Sequence, residues 1–420
     1  MEIPSNIKKY MELIINSGYE CFLVGGAVRD YLLNKSNKDY DFCTNIPFDK
    51  LKALIPKIAI MRENNHRNTA ITRIDGYDLE FSEYRGDSLK EDLSNRDFTM
   101  NAVAVDVNGK LIDYFNGVED IKNKTVSLIK PSGEAFEIDA LRILRAIRQA
   151  LKLGFKIDEN TKANMLGKKH LLQGVAKERI LDELKKILVS DNVEYYLSEY
   201  KDIFFEIIPE LQKCDGFNQY NDYHVYDVYN HTIQAVKNSP KNEYLRLAAL
   251  FHDIGKPDRF YLDENNIGHF LNHATTSCEI FNSFADIYKA DNKTKKIVSA
   301  LILYHEDVLS SKNNKIYNFY KKYDMDDIEL LFELKIADAK AQNPKYSDRI
   351  NELKELEIKY INVRERYKKI TYNGDDLKGL GYSGKIIGTI LDDIKRQVVN
   401  NVINNDKQSI DKYVQKNYII

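Results

Sequence analysis

Apolar and polar residues alternate in several short runs near the N-terminus. Phe22, Leu23 and Val24 read as a strand, Gly25-Gly26 as a turn, and Val28 to Leu33 as a helix. Tyr40 to Cys43 reads as a second strand. Its alternation sends Asp39 and Asp41 to one face. Asp78, Glu80 and Ser82 alternate with Leu79 and Phe81 in a further run, and Val103 to Asp106 is also strand-like. Helical spacing dominates elsewhere. Within Met1 to Gly18, Ile7, Met11, Ile14 and Ile15 share one face of an amphipathic helix. Ile138 to Arg148 reads as one continuous helix of good formers, with Asp139 and Arg142 as surface neighbours. A glycine-rich turn at Gly379, Gly381 and Gly384 precedes an expected helix from Ile386 to Val399.

The acidic pair gives this pattern chemical meaning. A paired glycine leaves backbone N–H groups open at a helix start, where phosphate oxygens bind readily. Two carboxylates on one strand face repel unless a cation lies between them. Hard oxygen ligands this close suit Mg²⁺, which takes its remaining ligands from water and substrate phosphates. Glu80 is placed to complete the cluster. A phosphate cradle beside such a site is the equipment for nucleotidyl transfer.

Four motifs in order, GGAVRD, the D-x-D of Asp39 and Asp41, RDFTMNA from Arg96 to Ala102, and DALRILRAIR from Asp139 to Arg148, resemble the class II tRNA nucleotidyltransferase and bacterial poly(A) polymerase family. The resemblance implies an α+β chain: a catalytic head with a small mixed β-sheet, then an all-α neck, body and tail. It further implies addition of C, C and A to the 3′ end of tRNA from CTP and ATP, without a nucleic-acid template. Asp39 and Asp41 match the Mg²⁺-binding pair, with Glu80 as the third catalytic acid. Gly25, Gly26, Arg29, Arg96, Asp97, Asn101, Asp139, Arg142, Arg145 and Arg148 fall in the nucleotide-binding motifs. Asp139 and Arg142 match the amino-acid template that reads the base. An Asp acceptor beside an Arg donor pairs with the amine and ring nitrogen of C or A, and mismatches G and U. Such pairing is worth ~1–3 kcal/mol of discrimination. The chain departs from the family at Ile138, where a Glu is usual, at Asn95, where an Arg is usual, and in the glycine-free loop around His66 to Thr69. Poly(A) synthesis and partial (A-adding or CC-adding) activities share the same head motifs.

The second half carries His252-Asp253-Ile254-Gly255-Lys256-Pro257, flanked by His231, His273, His305 and Asp338. Histidines and aspartates spread over helices suit a divalent transition metal. Their order resembles the HD phosphohydrolase superfamily. His231, His252, Asp253 and Asp338 match its core ligands, and His273 and His305 its extra histidines. The resemblance implies a divalent metal (Mn, Ni, Mg, Zn or Fe) and a metal-dependent phosphohydrolase. That activity could be the main one, with the head only binding nucleotide; intact Asp39, Asp41 and Glu80 speak against this.

At 420 residues the chain exceeds one ordinary domain. The expected division is a head over 1–130, ending at the turn Pro131-Ser132-Gly133, a neck over 131–205, an HD domain over 206–345, and a tail over 346–420. Net charge is −2, so tRNA affinity needs a local basic patch. The neck offers Lys168, Lys169, Lys177 and Arg179, with Lys162, Lys185 and Lys186 nearby. Four widely spaced cysteines argue for free thiols in a reducing compartment. No stretch approaches a membrane span, and the opening helix is not a signal peptide, so a soluble, cytoplasmic protein is expected.

Overall fold

The computed structural model describes residues 1–55, 57–62, 68–323 and 326–418. His66 and Arg67, in the glycine-free loop, lie outside them. Two compact units divide the chain at Ile207 and Ile208.

The first unit is built on a seven-stranded sheet. Its strands are β1 (Cys21–Val24), β2 (Asp39–Thr44), β3 (Ala59–Arg62), β4 (Asn68–Ile74), β5 (Tyr77–Glu83), β6 (Val103–Val105) and β7 (Leu111–Asp113). They lie in the order β3-β4-β5-β2-β1-β6-β7. The β2–β5 pair is parallel and the others antiparallel, so the sheet is mixed. In the parallel pair Asp39 stands opposite Asp78 and Asp41 opposite Glu80. Residues directly opposite share a face, so all four acids project together. The intervening Tyr40, Phe42, Leu79 and Phe81 go to the other face and are buried. Phe42 and Phe81 stack there, ring centroids 4.7 Å apart. The opening helix, Ser5–Asn16, buries Ile7, Met11 and Ile14 in the same core. Ile15, expected on that face, is exposed.

Two helices differ from the sequence expectation. The one after β1 starts at Gly26, not Val28, because Gly25 takes φ +72° and turns the chain directly into it. The continuous helix expected over 138–148 is two: Glu134–Ile138 and Arg142–Leu153. Asp139 is extended at the break, and its Oδ1 accepts from the backbone N–H of Leu141 (3.1 Å). Local side-chain bonding of this kind competes with helix continuation despite good propensities.

The second unit is helical. Val228–Asn238, Glu243–Phe251, His273–Ile287, Asn292–Tyr304, Ile328–Ala341 and Asp348–Lys368 are its longer elements. The expected helix Ile386–Val399 forms and packs into a separate small core with Tyr372, Leu377 and Ile410. The four cysteines are unpaired and buried. Among the described residues no helix is long and apolar enough to cross a membrane.

Candidate functional site

The acids of β2 and β5 open onto a cavity of about 460 Å³ lined by Asp39, Asp41, Asp78, Glu80 and Lys152. Gly26 and Asp41 also line a neighbouring cavity of about 430 Å³, so the two adjoin at the glycine turn. That turn is tightly fitted. A Cβ on Gly25 would lie 2.9 Å from Asp41 Oδ2. Burial raises the Asp41 carboxyl and Asp39 adds to the rise, while Arg96 and the Gly26 N–H oppose it. Among the described residues no ion pair reaches Asp39 or Asp41. The donors are hard oxygens, partly desolvated and mutually repelling, which fits Mg²⁺.

The second cavity carries Arg29, Arg85, Arg96, Arg142, Arg145 and Arg179 against the carboxylates Asp41, Asp97 and Asp139. A hydrogen-bonded chain orders its wall. Arg29 donates to Asp30 (2.9 and 2.7 Å) and to Asn101 Oδ1 (2.8 Å). Asn101 donates to Asp97 Oδ1 (2.8 Å), and Arg145 reaches Asp97 Oδ2 (2.7 Å). Burial alone would raise Asp97, but Arg145 and Asn101 hold its carboxyl well below the usual range. Arg96 is tied to the fully buried Asp92 (2.9 Å).

Most of the residues that the sequence places in nucleotide-binding motifs therefore meet in one cavity, with two adjustments. Asp139 and Arg142 both line it, yet across a helix break. Asp139 Oδ2 accepts from Arg179 (3.1 Å), while Arg142 donates to the Asn95 carbonyl (2.7 Å). Arg148 does not line it. It sits on another face of its helix and donates to the buried Glu183 (2.5 Å). Arg179, grouped by sequence with neck lysines, belongs to this cavity. Lys168 pairs with Glu137 (2.6 Å), Lys169 approaches Asp202 (3.9 Å), and Lys177 donates to the Gln173 carbonyl (3.2 Å). Ile138, in place of the usual Glu, is exposed. Sequence reading missed Arg85, Gln149 and Lys152. Gln149 and Lys152 were detectable from helical spacing, lying seven and ten residues beyond Arg142.

The second unit gathers His231, His252, Asp253, His273, His305 and Asp338; Asp253, His273, His305 and Asp338 line a cavity of about 550 Å³, and the fully buried His231 and His252 do not. Each histidine turns Nδ1 to a backbone carbonyl: His231 to Ala341 (3.3 Å), His252 to Ala249 (2.8 Å), His273 to Phe270 (3.0 Å) and His305 to Ile302 (2.6 Å). A carbonyl only accepts, so Nδ1 carries the proton and Nε2 of a neutral ring keeps its lone pair. The Nε2 atoms converge. Those of His231 and His252 are 3.4 Å apart, and those of His273 and His305 3.3 Å. Asp253 spans both pairs: Oδ2 lies 3.2 Å from His231 and His252, Oδ1 3.0 Å from His273. Asp338 Oδ1 is 3.0 Å from His231. Buried Asp253 Oδ2 nevertheless has no partner of hydrogen-bonding geometry among the described residues. Lone pairs and carboxylates so disposed fit a divalent cation. Burial lowers His231, but Asp253 and Asp338 outweigh it and push the group up to about 9. A cation competes with that proton for the same lone pair. Lys256, inside the motif but unassigned by sequence, lies 2.7 Å from Asp253 Oδ2. His224 joins a further candidate group with His231 and Asp253; burial, then Lys256, lowers it to about 3.

Comparison with known proteins places these sites in sequence families. The poly(A) polymerase head domain matches residues 21–91 and 57–127, the probable RNA- and SrmB-binding site of polymerase A matches 154–214, and the HD domain matches 221–342. A CCA-adding enzyme of Lactococcus lactis is 28% identical over 97% of this chain and 96% of its own length. One of Staphylococcus epidermidis is 33% identical over 46% of this chain and about half, 52%, of its own length. Among solved structures, a tRNA-processing enzyme in an apo form is 25% identical, with TM-score 0.60, covering 95% of this chain and 99% of its own. The Bacillus stearothermophilus CCA-adding enzyme in complex with CTP shares the fold at TM-score 0.68 and 22% identity, covering 99% and 98%.

Proposed function

We propose that this chain, which belongs to the class II tRNA nucleotidyltransferase and bacterial poly(A) polymerase family and carries an HD-superfamily domain, adds C, C and A to the 3′ end of tRNA from CTP and ATP. The observation that carries the reading is the junction of an acid-lined cavity with an arginine-lined one at Gly26, Arg29 and Asp41. Asp39 and Asp41, with Glu80, would hold Mg²⁺. Bound there, the metal would supply charge neutralisation at the phosphates and lower the pKa of the RNA 3′-hydroxyl. The 3′-hydroxyl gives its proton to solvent as its oxygen attacks the α-phosphorus; a P–O bond forms, and the bond to the oxygen of the β-phosphate breaks to release pyrophosphate. Arg29 and Arg96 neutralise phosphate charge. Asp97 and Asn101 hold the surrounding wall and the sugar. Asp139 and Arg142 present acceptor and donor to C or A, with Arg179 fixing Asp139. The lysines Lys168, Lys169 and Lys177 meet the tRNA backbone by exchanging their carboxylate and carbonyl partners for phosphates. The division into head (1–130), neck (131–205), HD domain (206–345) and tail (346–420) belongs to the same reading, and the unit boundary at Ile207 and Ile208 supports it.

The test uses tRNAs ending before CCA, after C and after CC, each offered single nucleotides with Mg²⁺. Stepwise addition of C, C and A is expected; homopolymeric A or a stop after CC would replace this reading with poly(A) or partial synthesis.

A second activity is favoured by the converging Nε2 atoms. His231, His252, Asp253 and Asp338 would hold a divalent transition metal, with His273 and His305 beside it, for hydrolysis of a phosphate ester. Release of phosphate from a chromogenic phosphomonoester with added Mn²⁺ or Ni²⁺, absent in His252→Ala, tests it.

A further inference from the structure

Gln149 lies on the helix Arg142–Leu153 and lines the arginine-rich cavity. It shares a helical face with Arg142 and Arg145, seven and four residues before it. The residue is 7% exposed, and its Oε1 is buried without a hydrogen-bond partner among the described residues. Asp97, Asn101 and Arg145 in the same wall are, by contrast, tied to one another. A buried carboxamide oxygen left unmatched is costly, and its place in a binding cavity points to a ligand as the missing partner.

The surroundings indicate which part of the ligand. Phosphates are taken by the guanidinium groups, whose charge and fork geometry a neutral amide does not match. Asp139 and Arg142 mark the N-terminal end of the helix. Lys152, one turn beyond Gln149, lines the adjoining cavity with Asp39 and Glu80. At ~1.5 Å per residue Gln149 stands roughly 10 Å along the axis from Arg142, between the base-reading end and the acids. The sugar of a nucleotide spanning those ends lies at this level. A ribose hydroxyl both donates and accepts, and rotating the carboxamide half a turn presents either its oxygen or its nitrogen.

We propose that Gln149 binds the ribose 2′-hydroxyl of the incoming nucleoside triphosphate and contributes to selection of ribo- over deoxyribonucleotides. The proposal rests on the nucleotidyl-transfer reading above. Gln149→Leu keeps the volume and removes the polar atoms; Gln149→Met is the second variant should leucine not fold. Single additions of CTP, 2′-deoxy-CTP and 3′-deoxy-CTP to tRNA lacking CCA give kcat and KM. Loss of one hydrogen bond predicts a CTP KM about tenfold higher in the variant. The 2′-deoxy-CTP KM stays unchanged, so the ratio between the two collapses, while 3′-deoxy-CTP follows CTP. The variant melts no lower than wild type, because an unmatched buried group is gone. An unchanged ribo-to-deoxy ratio, or equal KM increases for CTP and 2′-deoxy-CTP, overturns the proposal. Equilibrium binding of CTP and 2′-deoxy-CTP with Mg²⁺ gives the same ratio without turnover. A wild type that binds with this preference yet adds nothing sinks the transfer reading alone.

Discussion

The acidic face of the head sheet and the histidine cluster of the second unit both gather carboxylates, but on different scaffolds. Asp39, Asp41, Asp78 and Glu80 stand on two neighbouring strands, with Asp39 and Glu80 exposed. His231, His252, Asp253, His273 and His305 come from several helices and their ends, and all are at most 5% exposed. On the strands, pairing register alone sets the spacing, and the cluster stays open to solvent, as the proposed transfer to substrate phosphates requires. On the helices each ring is fixed by its own carbonyl, so the Nε2 donors are oriented by the fold itself. Removal of a strand acid should therefore cost chemistry, whereas removal of a helix ligand should cost chemistry and fold together.

The sharpest separation is expected from Asp41→Ala and Asp39→Ala. Nucleotide addition should fall by at least about 10³-fold, in the range of losing a dedicated transition-state contact. Melting temperature should stay close to wild type, since one of two repelling carboxylates is gone, and phosphoester hydrolysis should persist. A destabilised Asp39→Ala would break the contrast.

Asp253→Ala is the counterpart. It strands Lys256 in a buried site, and breaking such a pair costs ~3–5 kcal/mol. Denaturant titration should register that loss in the second unit, phosphoester hydrolysis should disappear, and addition by the folded protein should survive.

Gly25→Ala sharpens the head side. With φ +72° and ψ −137°, Gly25 sits in backbone space that side chains avoid, at a cost to alanine of ~1–3 kcal/mol, and the added Cβ pushes on Asp41 Oδ2. Misplacing that oxygen by a few tenths of an ångström should slow addition about 10- to 100-fold, with KM for CTP changing less than kcat.

The smallest effect concerns acid. The Asp97 carboxyl sits below its ordinary value in the fold, held by Arg145 and Asn101 against burial. Its contribution is present above the unfolded carboxylate pKa, about 3.9, and is lost as pH falls through the folded value. Asp97→Asn should lower head stability at neutral pH and flatten its decline in acid, read from denaturation curves from neutral pH to below about pH 2.

What was legible in the sequence follows from how local each cause is. Alternation alone put Asp39 and Asp41 on one face of their strand, and set Asp78 and Glu80 apart from Leu79 and Phe81 on theirs, because strand geometry is a two-residue rule; the register that brings the two acid faces together was not legible. The break at Asp139 was hidden: every residue from Ile138 to Arg148 tolerates a helix, and the interruption depends on bonding to Leu141 and on Arg179 forty positions away. Arg148 shared a motif with Arg145 but faces Glu183, a partner supplied by another helix. The histidines were readable only as an ordered set. Their common orientation comes from carbonyls of Ala249, Phe270, Ile302 and Ala341, which carry no side-chain signature.

The parallel pairing of β2 with β5 has a consequence for how the head matures. A slip of one residue would carry Asp39 and Asp41 into the layer occupied by Phe42 and Phe81, and put those rings into water. The buried aromatic layer therefore specifies the register that also sets the spacing of the acids.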